Sequence, residues 1–413
     1  KMGNRPLEGI RVVEMATFIA APCTARFLAD LGAEVIKVEP PMGDPLRYTA
    51  VNEGRPLDQK ENTSYDLENA GKTCISLNTK SEEGREALEK LLATADVFIC
   101  NWRQSPLKRA GLDWETLHEK YPKLVYGYVS GYGEKGPDKD LPGFDFTAFY
   151  ARGGILGPLR DKNSLPMLTV QGFGDHQVAM NLAAGVLAAL FKAKMTGEGD
   201  HVVVSLFHSA IWDISLMLQA SQYGADSTQY PMERWKLGNP LVLCYETADG
   251  QWLQIAMPQY DRHYPILMNA MGYPELADDA RYYPQKNLIP NREEFSAWIT
   301  AEFKKKTCDE WCKLLDANDL PYAIAQEWDS LLEDKQAWAS DCFYEMSYSN
   351  GNKRTLVRPP VLFDQMGLPP YERGPYLGEQ TKDILGELGY SAEAIDELIK
   401  SGAAIDMDPA LRD

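Results

Sequence analysis

Apolar and polar positions along the chain follow two rhythms. Short β-branched runs, "IRVVEM" ending at Met15, "EVIKVE" (34–39), "TCISL" (73–77), "DVFIC" (96–100) and "KLVYGYVS" (123–130), read as strands. Between them lie segments with helical spacing, "APCTARFLADLGA", with Pro22 near its start, and "EEGREALEKLLATA". This alternation predicts a βαβ opening and a parallel sheet covered by helices on both faces. From about Gln222 the texture changes: "QYGADSTQYPMERWKLGNP" is polar and rich in turn formers, as a linker is. "LVLCYETADGQWLQIAM" then sets two alternating runs around Asp249-Gly250, a hairpin signal. Helical patterns continue to about Leu315. Beyond Pro321 the chain reads as extended and Pro-rich, notably "VRPPVLFDQMGLPPYERGP", before an amphipathic helix, "EAIDELIKSG". The predicted organisation is a large α/β domain over 1–222 with 326–413 and a smaller α+β domain over 223–325.

Composition narrows the function. The 413 residues are 44% hydrophobic and 25% charged, an ordinary globular balance. Lys+Arg number 42 against 60 Asp+Glu, a net charge of -18, which argues against nucleic-acid or anionic-membrane partners. The first residues show no secretory pattern, and the apolar run Leu182–Phe191 is too short to span a bilayer, so a soluble, cytoplasmic protein is expected. Seven scattered cysteines fit reduced thiols. Cys308 and Cys312 share a helix face but have no nearby His or second Cys pair, so no metal site is expected.

Glu39, closing the second strand of the βαβ unit, invites a dinucleotide reading, but that chemistry needs glycines in the first turn and "ATFIAAPC" has none. There is no nucleophile elbow and no Walker loop. His118, His201, His208 and His263 belong to no constellation, and His176 reads first as closing a helix entrance. "QGFGDHQVAM" (171–180) places Asp175 between glycines and a long apolar helix. Spacing favours an N-cap, whose carboxylate accepts the free N–H groups of the first turn. Gly172 and Gly174 also admit close approach of a ligand, and a helix N-terminus keeps a carboxylate ionised. Such a carboxylate can attack an activated acyl group, so both roles stay open.

"LADLGAEVIKVEPPMGDPLR", "NWRQSPLKRAGLDWETL", "VSGYGEKGP" and "GFGDHQVAM" resemble, in order and spacing, the successive signatures of the class III CoA-transferases, across essentially the whole chain. "GDPLRYTA", "YDLENA", "KGPDKDLPGFDFTAFYARGG" and "PYAIAQEW" look most like members acting on cinnamoyl-CoA and phenyllactate. The resemblance implies a Rossmann-like large domain, an interlocked homodimer, and Asp175 as covalent nucleophile. It implies CoA contacts from Ile19, Ala20, Leu77, Asn78, Thr79, Lys80, Asn101, Trp102, Arg103, Arg109, Ser130, Gly131, Tyr132 and Gly133. Coenzyme A and acyl-CoA would be substrates, with a carboxylic acid as the other partner and no permanently bound cofactor. The expected reaction moves CoA between an enoyl-CoA and an aryl or branched 2-hydroxy acid, with isocaproate-, carnitine- and bile-acid-type acids as alternatives. Phe144, Phe146, Phe149 and Tyr150 cluster near the motifs as candidate aromatic contacts, with core packing the alternative for at least two.

The sequence departs from the family in two places. Pro40 stands where some relatives carry a basic residue, and "KLGNPLVL", with only Gly238, replaces a glycine run. An α-methylacyl-CoA racemase on the same fold would need a second proton carrier, a His in "GHD"; here Phe144 occupies that place and carries no proton. A CoA-binding protein without catalysis would not need Asp175.

Overall fold

The computed structural model describes residues 5–224, 230–369 and 372–412. Its first compact unit comprises 5–155, 169–214 and 335–412; its second comprises 156–168 and 215–334 without 225–229. Segment 156–168, which the sequence reading places in the large domain, clusters with the second unit. Part of the expected linker, 225–229, lies outside the described residues.

In the first unit, β1 (Arg11–Met15), β2 (Glu34–Glu39), β3 (Thr73–Leu77), β4 (Val97–Cys100), β5 (Val125–Ser130) and β6 (His201–Ser205) are parallel, in the order β3-β2-β1-β4-β5-β6. The short strand Ala404–Ile405 pairs antiparallel on the β3 edge. Around the sheet run α1 (Ala20–Asp30), α2 (Thr63–Asn69), α3 (Glu82–Leu92), α4 (Gln104–Ala110), α5 (Trp114–Lys120) and α6 (Phe173–Thr196). The strand runs are apolar on both faces because both faces are covered: Val12, Val13, Val97, Phe98 and Ile99 are fully buried. The chain leaves β1 toward one edge of the sheet and returns through β4 toward the other. That reversal opens a crevice at the carboxyl ends of β1 and β4.

The helix α6 has 24 residues, far beyond the apolar run read from the sequence, and is long and apolar enough to cross a membrane by length and composition. In this fold it is a core helix, burying Val178, Leu182, Val186 and Leu190 and packing on α1, β5 and β6. β6 ("HVVVS") and a hairpin of β10 (Phe343–Ser347) with β11 (Lys353–Val357) were not foreseen; the latter falls where the chain was expected to be merely extended. The second unit holds an antiparallel sheet in the order β7-β8-β9, built from Cys244–Glu246, Trp252–Ile255 and Tyr322–Ile324. The hairpin turns at Gly250 (φ +77°), and a core of Tyr264, Phe295, Phe303 and Trp311 fills the space beside it.

Polar residues inside the parallel strands are the exception that matters. Glu14 on β1 and Lys37 on β2 are fully buried, and Glu14 bridges Lys37 Nζ and Lys72 Nζ, each at 2.7 Å. Lys37 also meets Asp44 Oδ2 at 3.0 Å. Burial opposes the Lys37 charge, but Glu14 and Asp44 outweigh it and hold the ammonium above its ordinary value. Burial lowers Lys72 to about 8. Glu39 accepts two bonds from Arg47 (2.9 and 2.7 Å) and one from Tyr65 (2.6 Å). It is thus spent inside the protein and not offered to a nucleotide ribose. Replacing Glu14 with Ala takes the bonded carboxylate from the buried Lys72 and leaves Lys37 with Asp44 alone; we expect a loss of about 3–5 kcal/mol in unfolding free energy, read as a lower urea midpoint.

Candidate active site

The first turn, after β1, is fixed by two side chains. Asn101, following β4, accepts the Thr17 N–H (3.2 Å) and donates to the Thr17 carbonyl (2.8 Å). Asp44 accepts the N–H of Phe18 at 3.0 Å. Phe18 is held at φ +63°, a costly conformation for a bulky residue, of the kind that concentrates at functional sites. A glycine-free turn is therefore pinned by the buried Lys37–Asp44 pair.

Beside this turn lies a cavity of about 280 Å³. It brings together Ile19, Ala20, Asn101, Arg103, Ser130, Gly131 and Asp175 from the sequence-derived set. The others lie outside its lining. The Leu77 side chain is buried in the core and so is not available to a ligand. Asn78 and Thr79 are half-buried and Lys80 exposed at the end of β3. Trp102 packs against the core, and Arg109 is exposed on α4, donating to Ser105 Oγ at 2.6 Å. Tyr132 and Gly133 form the turn after β5, closed by Gly133 N–H donating to Ser130 Oγ at 2.9 Å.

Several lining residues were not singled out in advance, among them Phe18, Lys139, Gly143 and Asp145. Gly131 and Gly143 are crossing backbones: a Cβ on Gly143 would stand 2.4 Å from the Gly131 Cα. The paired glycines were the available signal. Of the aromatic cluster, Phe144 lines the cavity and is exposed, as is Phe146, whereas Phe149 and Tyr150 are buried in the core. In the second unit, Leu237, Gly238, Asn239 and Val242 line a cavity of about 540 Å³ with Gln285, Ile289 and Arg292.

Asp175 is not the cap. The helix begins at Phe173 after Gly172 in the left-handed region (φ +83°), which places Asp175 third in the helix with no capping bond. The acceptor comes from elsewhere: Asp145 Oδ1 takes the Gly174 N–H at 3.1 Å. Nor does the helix N-terminus keep Asp175 readily ionised. Burial first, then the charges of Asp145 and Glu68, push it up to about 7. His176, beside it, meets Glu68 Oε1 at 2.7 Å; burial works against its charge, but Glu68 raises it above the ordinary imidazole value. Cys23 Sγ joins these two, the three ligand atoms lying within 4.8 Å of one another. The Glu68–His176 contact is a hydrogen bond, shorter than the roughly 3.3 Å between two tetrahedral ligands with ~2 Å bonds.

Asp175 is thus a half-buried, poorly solvated carboxylate with no hydrogen-bond partner of its own among the described residues, set on a cavity among other acids, a setting in which a carboxylate can act as a nucleophile. Folded Asp175 holds its proton more tightly than the unfolded chain does, so the folded state loses stability as pH rises from about 4 to about 7. Asp175→Asn should therefore melt with wild type near pH 4 and a few degrees above it at pH 8, measured by thermal unfolding. A Cβ at Gly174 would fall 2.3 Å from the Phe149 ring and 2.4 Å from Asp145 Oδ1. Gly174→Ala is expected to cost about 1–3 kcal/mol, seen in the same melts.

The family model for CoA-transferase family III matches residues 7–381. Cinnamoyl-CoA:phenyllactate CoA-transferase of Clostridium sporogenes is 52% identical over 393 residues, covering 95% of each chain. (R)-2-hydroxy-4-methylpentanoate CoA-transferase of Clostridioides difficile is 41% identical, covering 94% of this chain and 97% of its own. Among solved structures, a CAIB/BAIF family protein from Brucella suis superposes with a TM-score of 0.78 at 28% identity, over 93% of this chain and 100% of its own. Rv3272 from Mycobacterium tuberculosis gives 0.79 at 25%, over 92% and 99%. With the family model spanning nearly the whole chain and a named CoA-transferase at 52% identity, the protein belongs to CoA-transferase family III and is an enzyme of that class.

Proposed function

We propose that the enzyme moves CoA from a cinnamoyl-CoA-like thioester to an aryl 2-hydroxy acid such as phenyllactate, with Asp175 as the covalent relay. The observation that carries the reading is the Asp175 carboxylate, free of any cap bond and open to the cavity at the sheet's switch point. The 52% identical relative supports the acid and the donor, and Phe18 and Phe144 give the cavity aromatic walls.

The chemistry balances without ATP, metal or net proton. A carboxylate oxygen of Asp175 adds to the thioester carbonyl carbon, the C–S bond breaks, and CoA thiolate leaves a mixed anhydride. The thiolate then adds to the aspartyl carbonyl and expels the donor acid as its carboxylate, leaving an aspartyl-CoA thioester. The incoming carboxylate attacks that thioester and releases thiolate. Thiolate attack on the new acyl group frees Asp175 and forms the product thioester. Each step exchanges one carboxylate for one thiolate, so the thioester energy is retained. Arg103 and Lys139 at the cavity, with Lys80 after β3 and Arg109 on α4, offer cations to the phosphates of CoA.

Mixing the protein with cinnamoyl-CoA and phenyllactate should yield phenyllactyl-CoA by chromatography and mass, and Asp175→Ala should yield none. A product that survives Asp175→Ala overturns the relay. If phenyllactate is inert while 2-hydroxy-4-methylpentanoate, the acid in the 41% relative's name, accepts CoA, the aryl assignment falls and the transfer stands.

A further inference from the structure

Asp145 is the residue that the proposed chemistry leaves unused. It opens the π-helical turn Asp145–Ala151 and is 4% exposed. Its Oδ1 accepts the Gly174 N–H, and the N–H groups of Gly172 and Phe173 also favour its charge. Its Oδ2 is buried with no hydrogen-bond partner among the described residues. Asp145 and Asp175 line the same cavity. Gly174 permits this arrangement, since a Cβ there would run into the Asp145 carboxylate. The helix N-terminus is the place where a carboxylate would be best stabilised, and Asp145, from another segment, already occupies it.

We propose that Asp145 is a positioning residue for the nucleophile: by taking the first N–H groups of α6 and placing a second negative charge in the cavity, it leaves Asp175 an unstabilised, more reactive carboxylate. The inference rests on Asp175 being the nucleophile. A carboxylate engaged by helix N–H groups would be a weak base and a weak nucleophile toward a thioester. The other groups around Asp175 are Glu68 on α2, His176 on α6, the Cys23 thiol on α1, and, lining the cavity, Arg103 and Lys139. Glu68 is bonded to His176, and that pair largely neutralises itself. Asp145 has no cation bonded to it among the described residues, so its charge acts on Asp175 unpaired. Burial raises Asp145 itself to about 6, so the effect is strongest above that pH.

Asp145→Asn tests this, because the amide oxygen can still accept the Gly174 N–H while the charge is gone. The readout is kcat/KM for CoA transfer from pH 5 to 9. Near pH 5, where Asp145 is itself mostly protonated, variant and wild type should transfer CoA at similar rates, and toward pH 9 the variant should fall behind by roughly threefold, because Asp175 freed of its charged neighbour is a weaker nucleophile. A merely structural role would lower the rate by the same factor at every pH, and a flat ratio overturns the proposal. A second measurement needs no turnover: the extra stability that Asp175→Asn gives at pH 8 should be smaller in the Asp145→Asn background, and its rise with pH should level off earlier. An unchanged gain also overturns the proposal. Should Asp145→Asn fail to fold, Asp145→Ser, which removes the charge and keeps a hydroxyl, takes its place in both measurements. If wild type transfers no CoA at all, the transferase reading of Asp175 fails, and the melting series still decides whether Asp145 governs its charge.

Discussion

Glu14 is the constraint on which the rest of the first unit depends. A carboxylate with no exposure, set in a parallel strand, survives only because Lys37 and Lys72 both reach it. Lys37 then has a second obligation to Asp44, and Asp44 in turn holds the backbone of Phe18. A chain of three buried ionic contacts thus runs from the middle of the sheet to the turn that walls the cavity. The turn has no glycine to make its left-handed residue cheap, so the cost is met by this network.

The same logic explains the neighbourhood of Asp175. Its environment is built from things withheld: the helix N-terminus goes to Asp145, and the nearest imidazole goes to Glu68. What remains for Asp175 is partial burial and negative neighbours, a costly setting for a charge and a useful one for a nucleophile.

The parallel sheet was legible because its signal is local. "EVIKVE" and "TCISL" match β2 and β3 residue for residue, and the Asp249-Gly250 turn lies where the hairpin is. The role of Glu14 and Lys37 was not legible, since alternation along a strand cannot say that a charged side chain finds two partners from distant segments. Asp175 was legible as a residue of interest with cap and nucleophile both open, and spacing could not decide against the cap because its competitor, Asp145, lies 30 positions earlier and meets the helix only in three dimensions. The β10–β11 hairpin was hidden by the prolines that follow it. Leu77 was named for its position at the strand end, and position alone does not tell that its side chain is buried in the core.

The crossing of Gly131 and Gly143 has a consequence for how such an enzyme changes over time. Where two main chains touch, neither position can acquire a side chain unless the other segment moves, so that part of the wall is closed to gradual variation. Variation is left to positions such as Phe18 and Phe144, whose side chains border the same space without holding the backbones together. A lineage can therefore reshape the cavity by altering a few rings while the frame that carries Asp175 is inherited unchanged.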